Sequence, residues 1–459
     1  MKINSVVNGI VWGPLMLCVL LGIGVFYTIK LRFFQIRHFR LWWDKTFLSL
    51  FRKNNSRPQN KKALSPFQAM STALAGAIGT GNIVGVASAI TLGGAGAVFW
   101  MWVAALFGMA TIFAENSLGI RYREKHGDSF VGGPMYYIEK GLHCKWGAVL
   151  FAVFCTLAAF GMGNMVQANS VAGALENGFG ISPSVCAVVL TALVGLIIFG
   201  GIGRIAALTE KLVPFMAILF LAASCIVLAV HIRQIPAAFA AIFTQAFDLQ
   251  SAAGGFMGYG MAKAIKYGIS RGVFSNEAGL GTSPIVYAAA DSDDPWEQGM
   301  WGMFQVFIDT IVLCTLMALC ILCSVPDADK KDGIALSISA FESVLGTSGK
   351  WFLSVSIVLF AFATLISWCY YGEKSFEYLS GGRFILLYRL IYVGATTLGC
   401  MMQITMVWEL SDTLNGLMAL PNMAALIALS GKIRYDEIRI SDRKQLTVRP
   451  VEPMDNQFE

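Results

Sequence analysis

Charged residues are scarce in this sequence. Only 14% of its 459 residues are Asp, Glu, Lys or Arg, whereas an ordinary soluble chain contains about 25%. So few charges cannot cover a water-exposed surface, which argues against a soluble enzyme, a disordered protein and a disulfide scaffold. The small net charge of +6 falls in loops between apolar segments, so we expect no nucleic-acid partner.

Histidine is nearly absent, and cysteine does not cluster. The chain has four His, and its ten Cys are scattered without the spacing of a metal site. No nucleophile stands near a base in a catalytic pattern. We therefore expect no enzyme activity and no organic cofactor, and nothing in the sequence requires an obligate protein partner.

Long apolar runs fill most of the chain. Hydrophobic residues make up 56% of it, so we predict an all-α polytopic membrane protein in a lipid bilayer, with about eleven transmembrane helices of roughly 20 residues or more. The predicted helices are residues 6–29, 65–91, 95–122, 146–175, 183–202, 205–231, 258–289, 297–323, 349–372, 383–402 and 405–430. The segments 235–247 and 336–345 are either re-entrant or surface helices, or interfacial loops.

Basic residues predict the orientation of the chain. Lys and Arg are concentrated between residues 30 and 62 and again between residues 432 and 444. Cytoplasmic loops carry an excess of these residues. We therefore expect the amino terminus outside the cell and the carboxyl terminus in the cytoplasm.

Two polar, glycine-rich runs interrupt predicted helices near the middle of the bilayer, at residues 75–82 and 270–281. Close helix packing would explain Gly81 and Gly85, which form a GxxxG pair, but not Asn82 beside them. Paired interruptions in two halves are typical of inverted-repeat transporters. The predicted organisation is a peripheral helix and basic cytoplasmic loop at 1–64, a five-helix repeat at 65–231, an extracellular loop or surface helix at 232–257, a second five-helix repeat at 258–431 and a cytoplasmic tail at 432–459.

An unwound helix offers groups that can bind a zwitterion and a cation together. Freed N–H groups at a half-helix amino terminus suit a carboxylate, and freed carbonyls suit Na⁺, a hard cation. This chemistry indicates a binding and transport site. An ion channel would instead need a continuous polar pore, usually built from rings of like residues, and the paired breaks argue against it.

Several motifs, in order along nearly the whole chain, resemble the alanine or glycine:cation symporter (AGCS) family. They include GTGNIVGV at residues 79–86, GNMVQANS at 163–170, RGVFSNEAGLG at 271–281 and WCYYGEK at 368–374. The family is similar in fold to the leucine transporter LeuT. The resemblance implies a secondary active symporter in the cytoplasmic (inner) membrane of a bacterium or archaeon. It would import a small neutral amino acid with Na⁺ or H⁺.

The resemblance also implies site residues, carried over position by position. Backbone N–H groups at Gly79, Thr80 and Gly81 would bind the substrate carboxylate. The carbonyl of Ala77 and the side chain of Asn82 would bind one cation. A second cation would be bound by the carbonyls of Ala75 and Ile78 and by hydroxyls of Thr364 and Ser367.

Other polar and aromatic residues near the breaks are candidates with two interpretations each. Gln167 would contact the substrate, or else form an interhelical hydrogen bond. Phe274 and Trp368 would enclose a small pocket, or else simply pack. Ser275 and Asn276 lie in the second run and are expected to contact the substrate.

Ionisable residues inside membrane segments are functional candidates by default. Glu115, Arg271, Glu277 and Asp309 qualify, although each has a structural alternative. Arg271 and Glu277 would pair with other charges to gate the pathway or to brace the break. Asp309 would be a proton site or a partner in a buried polar network. Two alternatives stay open for the cargo and the driving ion. Glutamine or another neutral amino acid could replace alanine or glycine, and H⁺ could replace Na⁺.

Overall fold

The computed structural model of this protein describes residues 2–51, 63–126, 129–247, 257–325, 333–402 and 404–435. These residues are almost entirely helical, as the apolar runs predict. The strands among them form one hairpin, in which β1 (Glu124–His126) pairs antiparallel with β2 (Ser129–Val131). This hairpin is absent from the predicted elements. Part of the basic stretch at 30–62 and most of the predicted tail lie outside the described residues.

The first predicted membrane helix contains an interruption. It consists of α1 (Lys2–Val11) and α2 (Pro14–Lys30). Proline lacks the N–H that a helix interior needs but is favourable at the first helical position, so Pro14 begins a new helix. Two short helices follow, α3 (Phe34–Arg37) and α4 (Phe39–Lys45).

The first predicted repeat contains a broken helix and then longer ones. Ser65 and Gln68 form a reciprocal capping box where the broken helix begins. The elements are α5 (Pro66–Ala77), a π-helix (Gly81–Gly85) continued by α6 (Val86–Gly93), α7 (Gly96–Arg121), α8 (Pro134–Leu142), α9 (Lys145–Phe160), a π-helix (Gly161–Met165) continued by α10 (Val166–Phe179), α11 (Pro183–Ile198) and α12 (Gly201–Val230).

The second half of the chain also contains a broken helix followed by longer ones, after a short apolar helix. Both segments left open as surface structure are helical, as α13 and α18. The elements are α13 (Ile235–Ala246), α14 (Met257–Asn276), α15 (Ser283–Tyr287), α16 (Pro295–Val306), a π-helix (Phe307–Cys314) continued by α17 (Thr315–Ser324), α18 (Gly333–Leu345), α19 (Thr347–Ser380), α20 (Ile385–Met401) and α21 (Ile404–Ala428).

Six helical spans of the described residues are long and apolar enough to cross a membrane, or seven if the bent pair α5 and α6 is counted as one span. The total of about eleven crossings stays a prediction. The six are Val7–Lys30, Gly96–Arg121, Lys145–Phe179, Gly201–Val230, Pro295–Ser324 and Thr347–Ser380.

The first predicted break is present. Helix α5 ends at Ala77, and the axis turns by 47° before the chain continues from Gly81. Ile78, Gly79 and Thr80 link the two halves. All three are buried, so their backbone groups must find partners inside the protein.

The second break is shorter than the run at 270–281 predicts. Helix α14 continues through Asn276, and only the residues after it leave the helix. Gly279 and Gly281 have φ of +92° and +79°, which glycine adopts readily. Gly272 stays helical and lies next to α7, where a Cβ would be 3.4 Å from Cα of Met101.

The two broken helices lie side by side. A Cβ added to Gly81 would lie 3.2 Å from Cα of Ser275 and 3.3 Å from Cδ1 of Phe274. The backbone of the first break therefore touches the last turn of α14. Polar groups of both breaks can meet in one site.

The segments next to the two broken helices are also tied together at one end. Leu64, just before α5, donates its N–H to the Ala289 carbonyl at 3.0 Å and accepts from the Asp291 N–H at 2.7 Å. Arg123 supports this pairing through hydrogen bonds to the carbonyls of Ala288 at 3.2 Å and Ala290 at 2.7 Å. Its guanidinium also pairs with Asp293 at 2.5 Å and stacks 3.9 Å from the Phe130 ring centroid.

We expect Arg123→Ala to loosen this tie. Hydrogen bonds from a charged donor contribute roughly 1.5–3 kcal/mol each, and most of that effect comes from the two carbonyls, since Asp293 is almost fully exposed. Hydrogen exchange at the amides of Leu64 and Asp291 should accelerate. Lys125→Ala, at an exposed β1 position, is the control, and equal exchange in both variants would contradict the role of Arg123.

Candidate functional site

Backbone oxygen atoms converge with one hydroxyl at the first break. Oγ1 of Thr364, on α19, lies 2.9 Å from the Ala75 carbonyl, 3.3 Å from the Ile78 carbonyl and 3.1 Å from the Phe360 carbonyl. One hydroxyl proton cannot satisfy three carbonyls. The group is therefore rich in oxygen lone pairs, which is what a hard cation requires.

Glycine is necessary where Thr364 meets the break. A Cβ on Gly79 would lie 2.4 Å from Thr364 Oγ1, which no side chain permits. Ser367 is fully buried, and its hydroxyl has no hydrogen-bond partner among the described residues. Among the described residues, no hydrogen bond joins Ser367 to the oxygen atoms around Thr364.

Gln167 joins α10 to the first break. Its Oε1 accepts from the Thr80 N–H at 3.3 Å, and its Nε2 donates to the Met162 carbonyl at 3.1 Å. The interhelical hydrogen bond that was one interpretation of Gln167 is therefore present. Its partner is also one of the N–H groups expected to bind a carboxylate, so the amide occupies the place that such a ligand would take.

Asn82 connects the first break to a buried acid. Its Nδ2 donates to Asp309 Oδ1 at 2.7 Å and to the Asp309 carbonyl at 3.0 Å, while its Oδ1 accepts from the Gly79 N–H at 3.2 Å. The Ala77 carbonyl, expected near the same cation, accepts from the Gly79 N–H at 2.8 Å. Asn82 thus lies between the break and Asp309.

Asp309 collects polar side chains from both broken helices. Its Oδ2 accepts from Ser275 Oγ at 2.8 Å and from Thr310 Oγ1 at 2.7 Å. Asp309 lies in the π-helix Phe307–Cys314, and π-helical segments are frequent at functional sites. These partners are neutral, so a cation bound here would offset the charge of the ionised carboxylate, and the cluster is suited to hold one.

Ser275 and Asn276 lie in the last turn of α14 rather than in the break, because the helix persists through residue 276. Asn276 Oδ1 accepts from the Ala278 N–H at 3.0 Å, and its Nδ2 donates to Thr310 Oγ1 at 3.1 Å. Asn276 thus closes the helix end, and its contact with a substrate stays a prediction.

Two aromatic residues lie beside the breaks, Phe274 at the first and Trp368 at the second, where its indole donates to Glu277. Phe274 lies beside Gly81 and stacks on Trp408 with ring centroids 5.0 Å apart. Trp368 is fully buried against α9 and the following π-helix, where a Cβ on Gly163 would lie 2.3 Å from Trp368 Cβ. Both positions are compatible with pocket walls.

An ion pair lies beside the Phe274 and Trp408 stack. Arg271 forms two hydrogen bonds with Asp412 on α21, at 3.2 and 3.1 Å. The guanidinium carbon is 5.7 Å from the Phe274 ring and 5.2 Å from the Trp408 ring. The pair and the stack together connect α14 to α21 on one side of the site.

The second break is held by Glu115 from α7. Its two oxygens accept from the Gly279 N–H at 3.3 Å and the Gly281 N–H at 3.0 Å. Asn422 donates to Glu115 at 2.5 Å and to the Gly279 carbonyl at 2.9 Å, and itself accepts from the Tyr137 hydroxyl. These N–H groups are occupied by the protein's own carboxylate. The sequence marks Glu115 as an acidic residue inside a membrane segment. Its partners Gly279 and Gly281 lie 164 and 166 positions away, so the sequence alone does not predict these hydrogen bonds.

Comparison with known proteins identifies the family. The family model described as "Sodium:alanine symporter family" matches residues 1–445. The chain belongs to this family. It is therefore a sodium-coupled amino-acid symporter with several membrane spans, and not an enzyme.

Named relatives and solved structures agree with this assignment. The symporter is 43% identical to the sodium/alanine symporter AgcS of Methanococcus maripaludis, over 96% of this chain and 98% of that one. It is 39% identical to the probable sodium/glutamine symporter GlnT of Bacillus subtilis, over 93% and 88%. It is similar in fold to MhsT in complex with L-phenylalanine, with a TM-score of 0.57 and 15% identity over 80% and 89%. The predicted LeuT-like fold is confirmed.

We expect Glu115→Ala to destabilise the symporter. The N–H groups of Gly279 and Gly281 would lose their acceptor in a buried site, which costs about 1–3 kcal/mol for each unpaired group. Thermal unfolding in detergent should begin at a lower temperature, and Glu115→Gln should lose less because one oxygen remains. Glu176→Ala, at an exposed position on α10, is the control. An unchanged unfolding temperature for Glu115→Ala would contradict the bracing role.

Proposed function

We propose that this symporter imports alanine or glycine with Na⁺ and binds both between its two broken helices. The observation that carries the proposal is the pairing of opposite groups at the first break. The carbonyls of Ala75 and Ile78 converge with Thr364, while the Thr80 N–H lies a short distance along the chain beside Gln167. A carboxylate can displace the Gln167 amide from that N–H while Na⁺ binds the oxygens.

The proposal includes two cation sites. The first contains Asn82 with Asp309 and Ser275, where a bound cation would neutralise a buried acid. The second contains the Ala75 and Ile78 carbonyls with Thr364, and Ser367 stays a predicted ligand there. Asp309 is added to the ligands expected from the sequence because it contacts Asn82 directly.

The aromatic residues beside the breaks favour a small amino-acid substrate. Phe274 lies against Gly81 of the first broken helix, and the Trp368 indole is bonded to Glu277 at the second break. In the proposed site these two large rings would limit the room for the substrate. The names of the relatives do not decide between alanine and glutamine, since AgcS carries one name and GlnT the other. Steric exclusion by these rings favours alanine or glycine.

The proposed membrane is the cytoplasmic membrane of a bacterium or archaeon, with the amino terminus outside. During transport the substrate site would open alternately on the side of the Arg271–Asp412 pair and at the end where Leu64 is hydrogen-bonded to Ala289 and Asp291. Cation and substrate would each raise the affinity for the other by the same factor.

The first experiment is uptake of radiolabelled alanine into proteoliposomes. An inward Na⁺ gradient should drive accumulation, and an inward H⁺ gradient alone should not. Counterflow of alanine should saturate, because a carrier has a finite number of sites. Accumulation with H⁺ alone would overturn Na⁺ coupling, and uptake of glutamine in preference to alanine would overturn the proposed cargo.

We expect Asp309→Asn and Asn82→Ala to weaken the first cation site. Loss of the negative charge or of the amide should raise the Na⁺ concentration for half-maximal alanine uptake about 10-fold or more, which corresponds to about 1.4 kcal/mol. Glu342→Gln, at an exposed position on α18, is the charge-matched control. Wild-type dependence on Na⁺ in both site variants would remove Asn82 and Asp309 from the cation site.

A further inference from the structure

We infer that Glu277 is a positioning residue that sets the amino-acid selectivity of this symporter by holding the Trp368 indole in place. The inference rests on the proposed function, because it requires that Trp368 face the bound amino acid. Glu277 is the first residue after α14. Trp368 lies one turn beyond Thr364 on α19.

The Glu277 side chain and the indole form a buried hydrogen bond. Trp368 Nε1 donates to Glu277 Oε1 at 2.7 Å, and Thr282 Oγ1 donates to Glu277 Oε2 at 2.6 Å. All three residues have no exposed surface. Each oxygen of the Glu277 side chain is thus held by a separate partner, which fixes the orientation of the side chain.

The backbone at Glu277 supports a dedicated role for its side chain. Its φ is +62°, a conformation that non-glycine residues adopt uncommonly. The neighbouring positive-φ residues of this break, Gly279 and Gly281, are both glycine. A long side chain at a strained backbone position indicates a functional role for that side chain.

The opposite side of the indole is also restrained. A Cβ on Gly163 would lie 2.3 Å from Trp368 Cβ and 2.5 Å from its Cγ, so the tryptophan is seated directly on that glycine. The Tyr371 ring meets the indole edge-on, with centroids 5.5 Å apart. The indole is therefore confined on three sides, and Glu277 supplies the polar restraint.

A pocket wall that is held in place discriminates between substrates by the size of their side chains. Apolar pockets distinguish side chains that differ by one methylene by about 10- to 200-fold when the walls hold their places. If the indole is released, it can swing away and admit a longer side chain. Loss of the Glu277 restraint should therefore reduce the preference for alanine over glutamine more than it reduces uptake itself.

The test measures the ratio of inhibition constants for glutamine and alanine in wild type, Glu277→Ala and Glu277→Gln, by competition against labelled alanine. Glu277→Ala should lower this ratio about 10-fold or more, since it removes the acceptor. Glu277→Gln should keep the ratio within about 3-fold, because its amide oxygen still accepts from the indole. Glu115→Gln is the matched control: it alters the same break without touching Trp368, so it should leave the ratio unchanged.

A second readout does not depend on transport. In protein labelled with fluorotryptophan, the ¹⁹F resonance of Trp368, assigned from its loss in Trp368→Phe, should shift in Glu277→Ala and stay in place in Glu115→Gln. If wild type takes up no amino acid, the proposed function fails, and this resonance still tests the positioning. An unshifted resonance overturns the inference, as does an unchanged ratio in a transporting variant. Should Glu277→Ala fail to fold, Thr282→Val releases the other carboxylate oxygen and must shift the same resonance.

Discussion

The structure depends on one constraint: backbone groups released by a helix break inside a membrane protein must be satisfied without bulk water. The two breaks meet this constraint differently. At the first, neutral side chains from Gln167, Asn82 and Thr364 serve as partners. At the second, the carboxylate of Glu115 binds two N–H groups. A single Gln167 oxygen holds the Thr80 N–H, whereas Glu115 binds two N–H groups at once and is itself held by Asn422. A ligand can displace the single partner more readily, so the first break is suited to binding and the second to support.

Glycine content predicted the first break correctly because the signal was local. Residues 75–82 contain both the helix end and the polar side chain that uses it, so spacing along the chain was sufficient. The second run combined two uses of glycine. Gly272 lies within helix α14 beside α7, whereas Gly279 and Gly281 adopt positive φ. A sequence does not distinguish these uses, and the predicted break therefore began too early.

Other parts of the site depend on contacts between residues distant in sequence. Asp309 was visible as an intramembrane acid, but its place beside Asn82 follows from a π-helix and from packing between helices 227 positions apart. The Glu277 bond to Trp368 spans 91 positions. The hairpin β1–β2 has strands of three residues each, which are too short to produce a periodic pattern.

The backbone pairing at Leu64 has a consequence for leakage. The segments that flank the two broken helices share hydrogen bonds there, and Arg123 binds the carbonyls on both sides of Ala289. Neither segment can move away alone without leaving buried polar groups unpaired. In the proposed transport cycle, the two segments would therefore move together when this end opens, and such a concerted movement would disfavour slippage of a lone ion through a half-opened route.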